Sequence, residues 1–189
     1  MDSLLAHDQN LFLFLNGLGN PFFDDFWLLM THKATNAVVY LTFALIYGYR
    51  FGVKAAFRFV VVAVVVIACT DQLTNVAKYT VQRLRPCHDP NLQPLVRLVK
   101  AGCGGLYTYF SGHASNSFAL ATFFYGAIRP LFNQYRWVFF LLASLVAYSR
   151  VYVGVHYPLD ILSGAVFGCL MGYSFFRLSS RFHLLVEWR

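Results

Sequence analysis

Charged side chains make up only 12% of the 189 residues. A soluble globular domain carries roughly 25%. That shortage excludes an ordinary water-facing surface, and a hydrophobic content of 58% points to a bilayer instead. A basic stripe is also missing. The net charge of +7 is spread over loops and helix ends, which excludes a nucleic-acid groove and fits an orientation signal in a membrane protein. No internal repeat and no linker interrupt the chain, so residues 1–189 are expected to form a single membrane-embedded domain. The opening "MDSLLAHDQN" has neither a basic start nor an Ala-x-Ala site, so no secretory signal is expected.

What the chain has is apolar runs. A membrane span takes about 20 mostly apolar residues. Spans are expected at about residues 35–51, 55–80, 114–129, 136–153 and 159–177. The last is studded with Gly, Ala and Ser, which let membrane helices approach closely. Residues 9–15 read as a short apolar helix, broken by "NGLGNPFFDDF". That segment is expected to enter at the interface. The fold class is therefore all-α: a polytopic bundle of five to six transmembrane helices with an N-terminal interfacial helical segment.

Three groups of Lys and Arg fall on alternate turns: Arg50, Lys54 and Arg58; Arg129 and Arg136; Arg177, Arg181 and Arg189. The positive-inside tendency assigns these turns to the cytoplasm. The opposite side also carries Arg83, Arg85, Arg97, Lys100 and Arg150, an excess that a binding site would explain.

Three charged islands lie on that opposite side. They are "KYTVQRLRP" with Lys78 and Arg85, "FSGHASNS" with Ser111, Gly112 and His113, and "SRVYVGVHYPLD" with Arg150, His156 and Asp160. Lys78, Arg85 and Arg150 offer three positive charges suited to phosphate oxygens. Ser111 and Gly112 precede an apolar helix whose free N–H groups would add an anion site. Asp160, in the first turn after Pro158, can accept from one ring nitrogen of His156 and leave the other as a nucleophile. His113 can protonate a leaving oxygen. Taken singly, Lys78 could snorkel from a helix end and His156–Asp160 could be a structural pair. A metal site is disfavoured because three nearby cations repel a divalent ion, so no metal and no cofactor are expected.

"K-x6-RP", "SGH" and "SR-x5-H-x3-D", in this order, resemble the three-part signature of the type 2 phosphatidic acid phosphatase family. The second part usually begins with Pro, where this chain has Phe110. The resemblance implies that Lys78, Arg85 and Arg150 bind the phosphate, with Ser111 and the Gly112 amide as further donors. It implies that His113 is the general acid, His156 the nucleophile that forms a phosphohistidine, and Asp160 its orienting partner. It also implies a metal-independent lipid phosphatase of the bacterial inner (cytoplasmic) membrane, its site facing the periplasm or exterior. Undecaprenyl diphosphate is the favoured substrate on resemblance. Lipid A or phosphatidylglycerol phosphate hydrolysis and lipid-to-lipid phosphotransfer are the alternatives, and an anionic-lipid carrier is the non-enzyme reading.

Asp71 lies outside the signature, two helical turns before Lys78, and reads equally as a functional group or as a buried polar partner. Cys69 and Cys169 fall in apolar spans and read as packing residues. Cys87 and Cys103 share the outer loop, where a disulfide is possible and would hold Arg85 near Ser111.

Overall fold

Gly164, Gly168 and Gly172 recur every fourth residue and so share one helix face. They lie on α8 (Pro158–Arg181), which packs against α5 (Gly112–Ala127). A Cβ at Gly164 would come within 2.8 Å of the Ser111 carbonyl. At Gly168 and Gly172 it would run into the carbonyls of Ser115 and Ala119. The three glycines thus let two backbones touch over two turns, and that contact fixes Asp160 beside Ser111. The Ser111 N–H donates to the Asp160 carbonyl at 3.1 Å.

The structure is a computed structural model, and it describes residues 2–185. Arg189, counted among the cytoplasmic cations, lies outside the described residues. Ahead of α5 and α8 come α1 (Asp2–Gly17), α2 (Pro21–Thr31), α3 (Lys33–Phe51) and α4 (Val53–Val81). Between them lie α6 (Arg129–Phe132) and α7 (Val138–Tyr152). Among the described residues there is no strand, and a single bridge joins Leu84 to Tyr107. The chain is all-helical, as its pattern predicts, and the five expected spans fall on α3, α4, α5, α7 and α8. Among the described residues, only α4 and α8 combine the length and apolarity of a full crossing, with mean hydropathies of 2.2 and 1.5. The expected five to six crossings are therefore met by two helices on that criterion. Their outward faces are apolar: Leu162, Val166 and Leu170 on α8 and Val61, Val64 and Val65 on α4 are all exposed. In a bilayer such faces meet lipid rather than water.

The N-terminal helix is longer than the expected residues 9–15. Asp8, Phe12 and Asn16 lie four residues apart and form one docking face. Asp8 accepts from the Leu159 N–H at 2.8 Å, Phe12 packs edge-on against Tyr157, and the Asn16 amide donates to Tyr152 O at 2.9 Å. These partners all border the turn between α7 and α8, so α1 lies across one end of the bundle. Asn20 then caps α2, accepting from the Phe22 N–H at 2.9 Å, with Pro21 in the first turn. At the other end, Ala55, Ile128, Phe139 and Leu185 share one apolar cluster, and Arg58 reaches the His183 carbonyl at 3.4 Å. The turns that carry the three basic groups therefore sit together, opposite the charged islands.

Candidate active site

Six sequence-predicted residues converge on one cavity of about 570 Å³: Lys78, Arg85, Gly112, His113, Arg150 and His156. Each comes from a helix end or an outer loop, because these are the places where a polar side chain can be anchored at the rim of an apolar bundle. Lys78 stands in the last turn of α4. Gly112 and His113 open α5 behind the Ser111 cap, whose hydroxyl accepts from the Ala114 N–H at 3.4 Å. Arg150 closes α7, and His156 lies in the turn before Pro158.

Among the described residues, Lys78, Arg85 and Arg150 make no ion pair at contact distance. The Arg85 Nε and Nη1 groups donate to Tyr107 O at 3.3 Å and Cys103 O at 3.0 Å. Arg150 Nη1 donates to the Thr31 hydroxyl, and its Nε is a buried donor with no protein partner. Buried donors of this kind favour an anion that can accept from them. Burial and the positive charges of Arg150, Arg85 and Lys78 hold the His156 imidazole well below the usual histidine range. His156 is therefore neutral at pH 7 and keeps a free lone pair.

His156 Nδ1 and Asp160 Oδ2 are 3.5 Å apart, and the Thr108 hydroxyl lies beside both. Thr108 donates to Asp160 Oδ2 at 2.5 Å and lies 2.8 Å from His156 Nδ1. A hydroxyl has one proton, so Thr108 accepts from an Nδ1–H. That tautomer leaves Nε2 unprotonated. The Tyr157 N–H also donates to Asp160 Oδ2, at 2.9 Å, while Arg83 Nη1 holds Oδ1 at 3.3 Å. The same Arg83 pairs with Asp8 at 2.7 Å and covers the Tyr157 ring at 3.7 Å. The structure thus places Asp160 beside His156, as expected, and adds Thr108 as a contact of both. The loop brings Thr108 there: the Arg85 N–H donates to Leu106 O at 3.2 Å and the Thr108 N–H to Arg83 O at 2.8 Å.

Ser111 is fully buried and caps α5, and it is not among the residues lining the cavity. Cys87 and Cys103 are disulfide-bonded, with Cα atoms 6.0 Å apart, beside the carbonyl that anchors Arg85. Asp71 also lines the cavity, together with Lys33, Asn36, Asn75 and Asn116. Thr108, Thr31, Asn36 and Asn116 are not marked by the sequence, and Arg83 is marked there only as one of the outer cations. Nothing in their local spacing marks them, although Thr108 lies only three residues before Ser111.

An apolar helical bundle with a cavity lined by several cations and two histidines suits a hydrolase acting on lipid phosphate esters. The chain belongs to the PAP2 superfamily, whose family model matches residues 59–183 and so takes in every motif residue. It is 34% identical to a lipid A 4'-phosphatase of Porphyromonas gingivalis, over 94% of this chain and 75% of that one. It is 36% identical to an undecaprenyl-diphosphatase of Sulfolobus acidocaldarius, over 53% of this chain and 46% of that one. The crystal structure of a transmembrane PAP2 type phosphatidylglycerolphosphate phosphatase from Bacillus subtilis shares the fold, with a TM-score of 0.76 at 17% identity, over all of this chain and 90% of that one.

Proposed function

We propose that this membrane protein hydrolyses the phosphate monoester of a lipid A-type saccharide lipid, through a phosphohistidine at His156. The observation that carries the reading is the convergence of His156, His113 and three cations on one cavity. Nε2 of His156 attacks phosphorus, the bond from phosphorus to the lipid oxygen breaks, and His113 gives that oxygen its proton. Water, deprotonated by His113, then attacks the phosphohistidine and releases inorganic phosphate. Lys78, Arg85 and Arg150 hold the phosphoryl oxygens as charge builds on them.

The substrate preference departs from undecaprenyl diphosphate, the choice that the motifs alone suggested. Supporting the change, the likeness to the lipid A 4'-phosphatase runs over 94% of the chain, and that to the undecaprenyl-diphosphatase over 53%. An apolar groove of about 300 Å³, lined by Leu41, Val60, Val64 and Phe124, adjoins the cavity and shares Tyr40 and Ile67 with it. It suits a lipid tail. The basic turns gathered at the opposite end support a site facing away from the cytoplasm, in the inner membrane.

Phosphate release by the purified protein from lipid A, undecaprenyl diphosphate and phosphatidylglycerol phosphate tests the reading. Lipid A is expected to be the best substrate and to lose one phosphate by mass spectrometry. Activity should survive excess chelator, because the cations already supply the charge a metal would bring. Release from undecaprenyl diphosphate alone would return the substrate to the prenyl class, and dependence on added divalent ion would refute the metal-free mechanism.

A further inference from the structure

The cavity is larger than a phosphate group needs. Besides the cations and histidines, its lining carries Asp71, Asn75, Asn116 and Asn36. Asp71 stands on α4 directly after the run "FVVVAVVVIACT", where a carboxylate is expensive unless it serves a function. Among the described residues, Asp71 makes no ion pair at contact distance, and the Lys78 charge acts on it only at longer range. Its Oδ1 accepts from the Asn116 amide at 3.2 Å and its Oδ2 from the Asn75 amide at 3.4 Å. Two amides therefore orient the carboxylate, and each oxygen keeps a lone pair for a further donor.

Asn36 adds an acceptor of the same kind. Its amide nitrogen donates to Met30 O at 2.9 Å and His32 O at 3.0 Å, and among the described residues no hydrogen bond engages its carbonyl oxygen. The Asn116 oxygen is likewise buried without a protein partner. This part of the lining is therefore acceptor-rich and asks for O–H or N–H donors from a ligand. The cations are close by. A Cβ at Gly112 would lie 3.5 Å from Lys78 Nζ and 3.7 Å from Asp71 Oδ1, so both groups border one point at the start of α5. A phosphate held by Lys78 leaves the next ring of the substrate facing Asp71.

We infer that Asp71, with Asn75, Asn116 and Asn36, forms a subsite for the hydroxyl and amide N–H groups of a sugar ring bearing the phosphate. A prenyl chain offers no donor there. The inference rests on the phosphate-ester reading above and adds the headgroup that the site selects.

The test is direct binding of two phosphate-free, tail-matched ligands to detergent-purified protein: an acylated glucosamine disaccharide and a simple alkyl alcohol. Wild type is expected to prefer the disaccharide lipid. In Asp71→Ala that preference, taken as the ratio of the two dissociation constants, should fall roughly tenfold or more, the loss of a charged hydrogen bond. Asp71→Asn keeps the shape of the side chain and covers the case in which the alanine variant does not fold. An unchanged ratio in a folded variant, or no preference in wild type, overturns the subsite. Phosphate release from lipid A is scored separately. Failure of that assay with the binding preference intact refutes the proposed substrate, not the subsite.

Discussion

The Thr108 hydroxyl donates to Asp160 Oδ2 at 2.5 Å and lies 2.8 Å from His156 Nδ1, so it touches both members of a pair that are 3.5 Å apart. In the proposed mechanism it helps the carboxylate orient the imidazole and favours the Nδ1–H tautomer. Thr108→Val should leave an unpaired Nδ1–H and lower kcat by about 10²-fold, the scale of general acid–base effects, with little change in KM. Thr108→Ser should restore most of the rate. If the valine variant has normal kcat, or if serine fails to rescue it, this role is wrong.

The α5–α8 contact sets the second expectation. Gly168→Ala places a methyl against the Ser115 carbonyl, at the interface that positions Asp160. Overpacking of this kind costs about 1–3 kcal/mol. A lower melting temperature and a loss of turnover are expected together. Gly17→Ala meets nothing within 4 Å and is the control. Equal melting temperatures for the two variants would contradict the close-packed interface.

The disulfide closes a segment with a sequence separation of 16, worth about 3 kcal/mol by loop entropy. Because Cys103 O anchors Arg85, opening the bond should also loosen phosphate binding. Cys87→Ser or Cys103→Ser is expected to lower the melting temperature and raise KM more than it lowers kcat. A change in kcat alone would separate the bond from the phosphate site.

The depressed His156 titration gives the pH expectation. The folded site holds His156 neutral, while the unfolded chain takes up a proton near the ordinary value of about 6.5. The folded protein therefore binds fewer protons below that pH, so this group's contribution is fully present above it and declines as pH falls. Between pH 7 and 5, wild type should lose more thermal stability than His156→Gln. An equal loss in the two proteins would show that His156 titrates normally in the fold.

Much of this architecture is legible in the sequence because its signals are local. The glycines of α8, the caps at Asn20 and Ser111, and the spacings Lys78 to Arg85 and His156 to Asp160 all act within a few turns. The less legible parts depend on pairings distant in sequence. Thr108 reaches His156 only because residues 106–108 pair with residues 83–85. Asp8 and Asn16 look like interruptions of an apolar segment until their partners at Arg83, Leu159 and Tyr152 are known. The substrate is less legible for another reason. In the proposed mechanism the three motifs hold the phosphate, which all the candidate lipids share, whereas Asp71 and the amides beside it lie outside the motifs.

The central claim is that His156 becomes phosphorylated. Purified protein incubated with radiolabelled lipid phosphate, quenched in alkali and digested, should carry acid-labile label on the peptide containing His156. His156→Ala should carry none and should release phosphate at least about 10³-fold more slowly. Unimpaired release by His156→Ala, or label on a different residue with His156 unmodified, would contradict the mechanism.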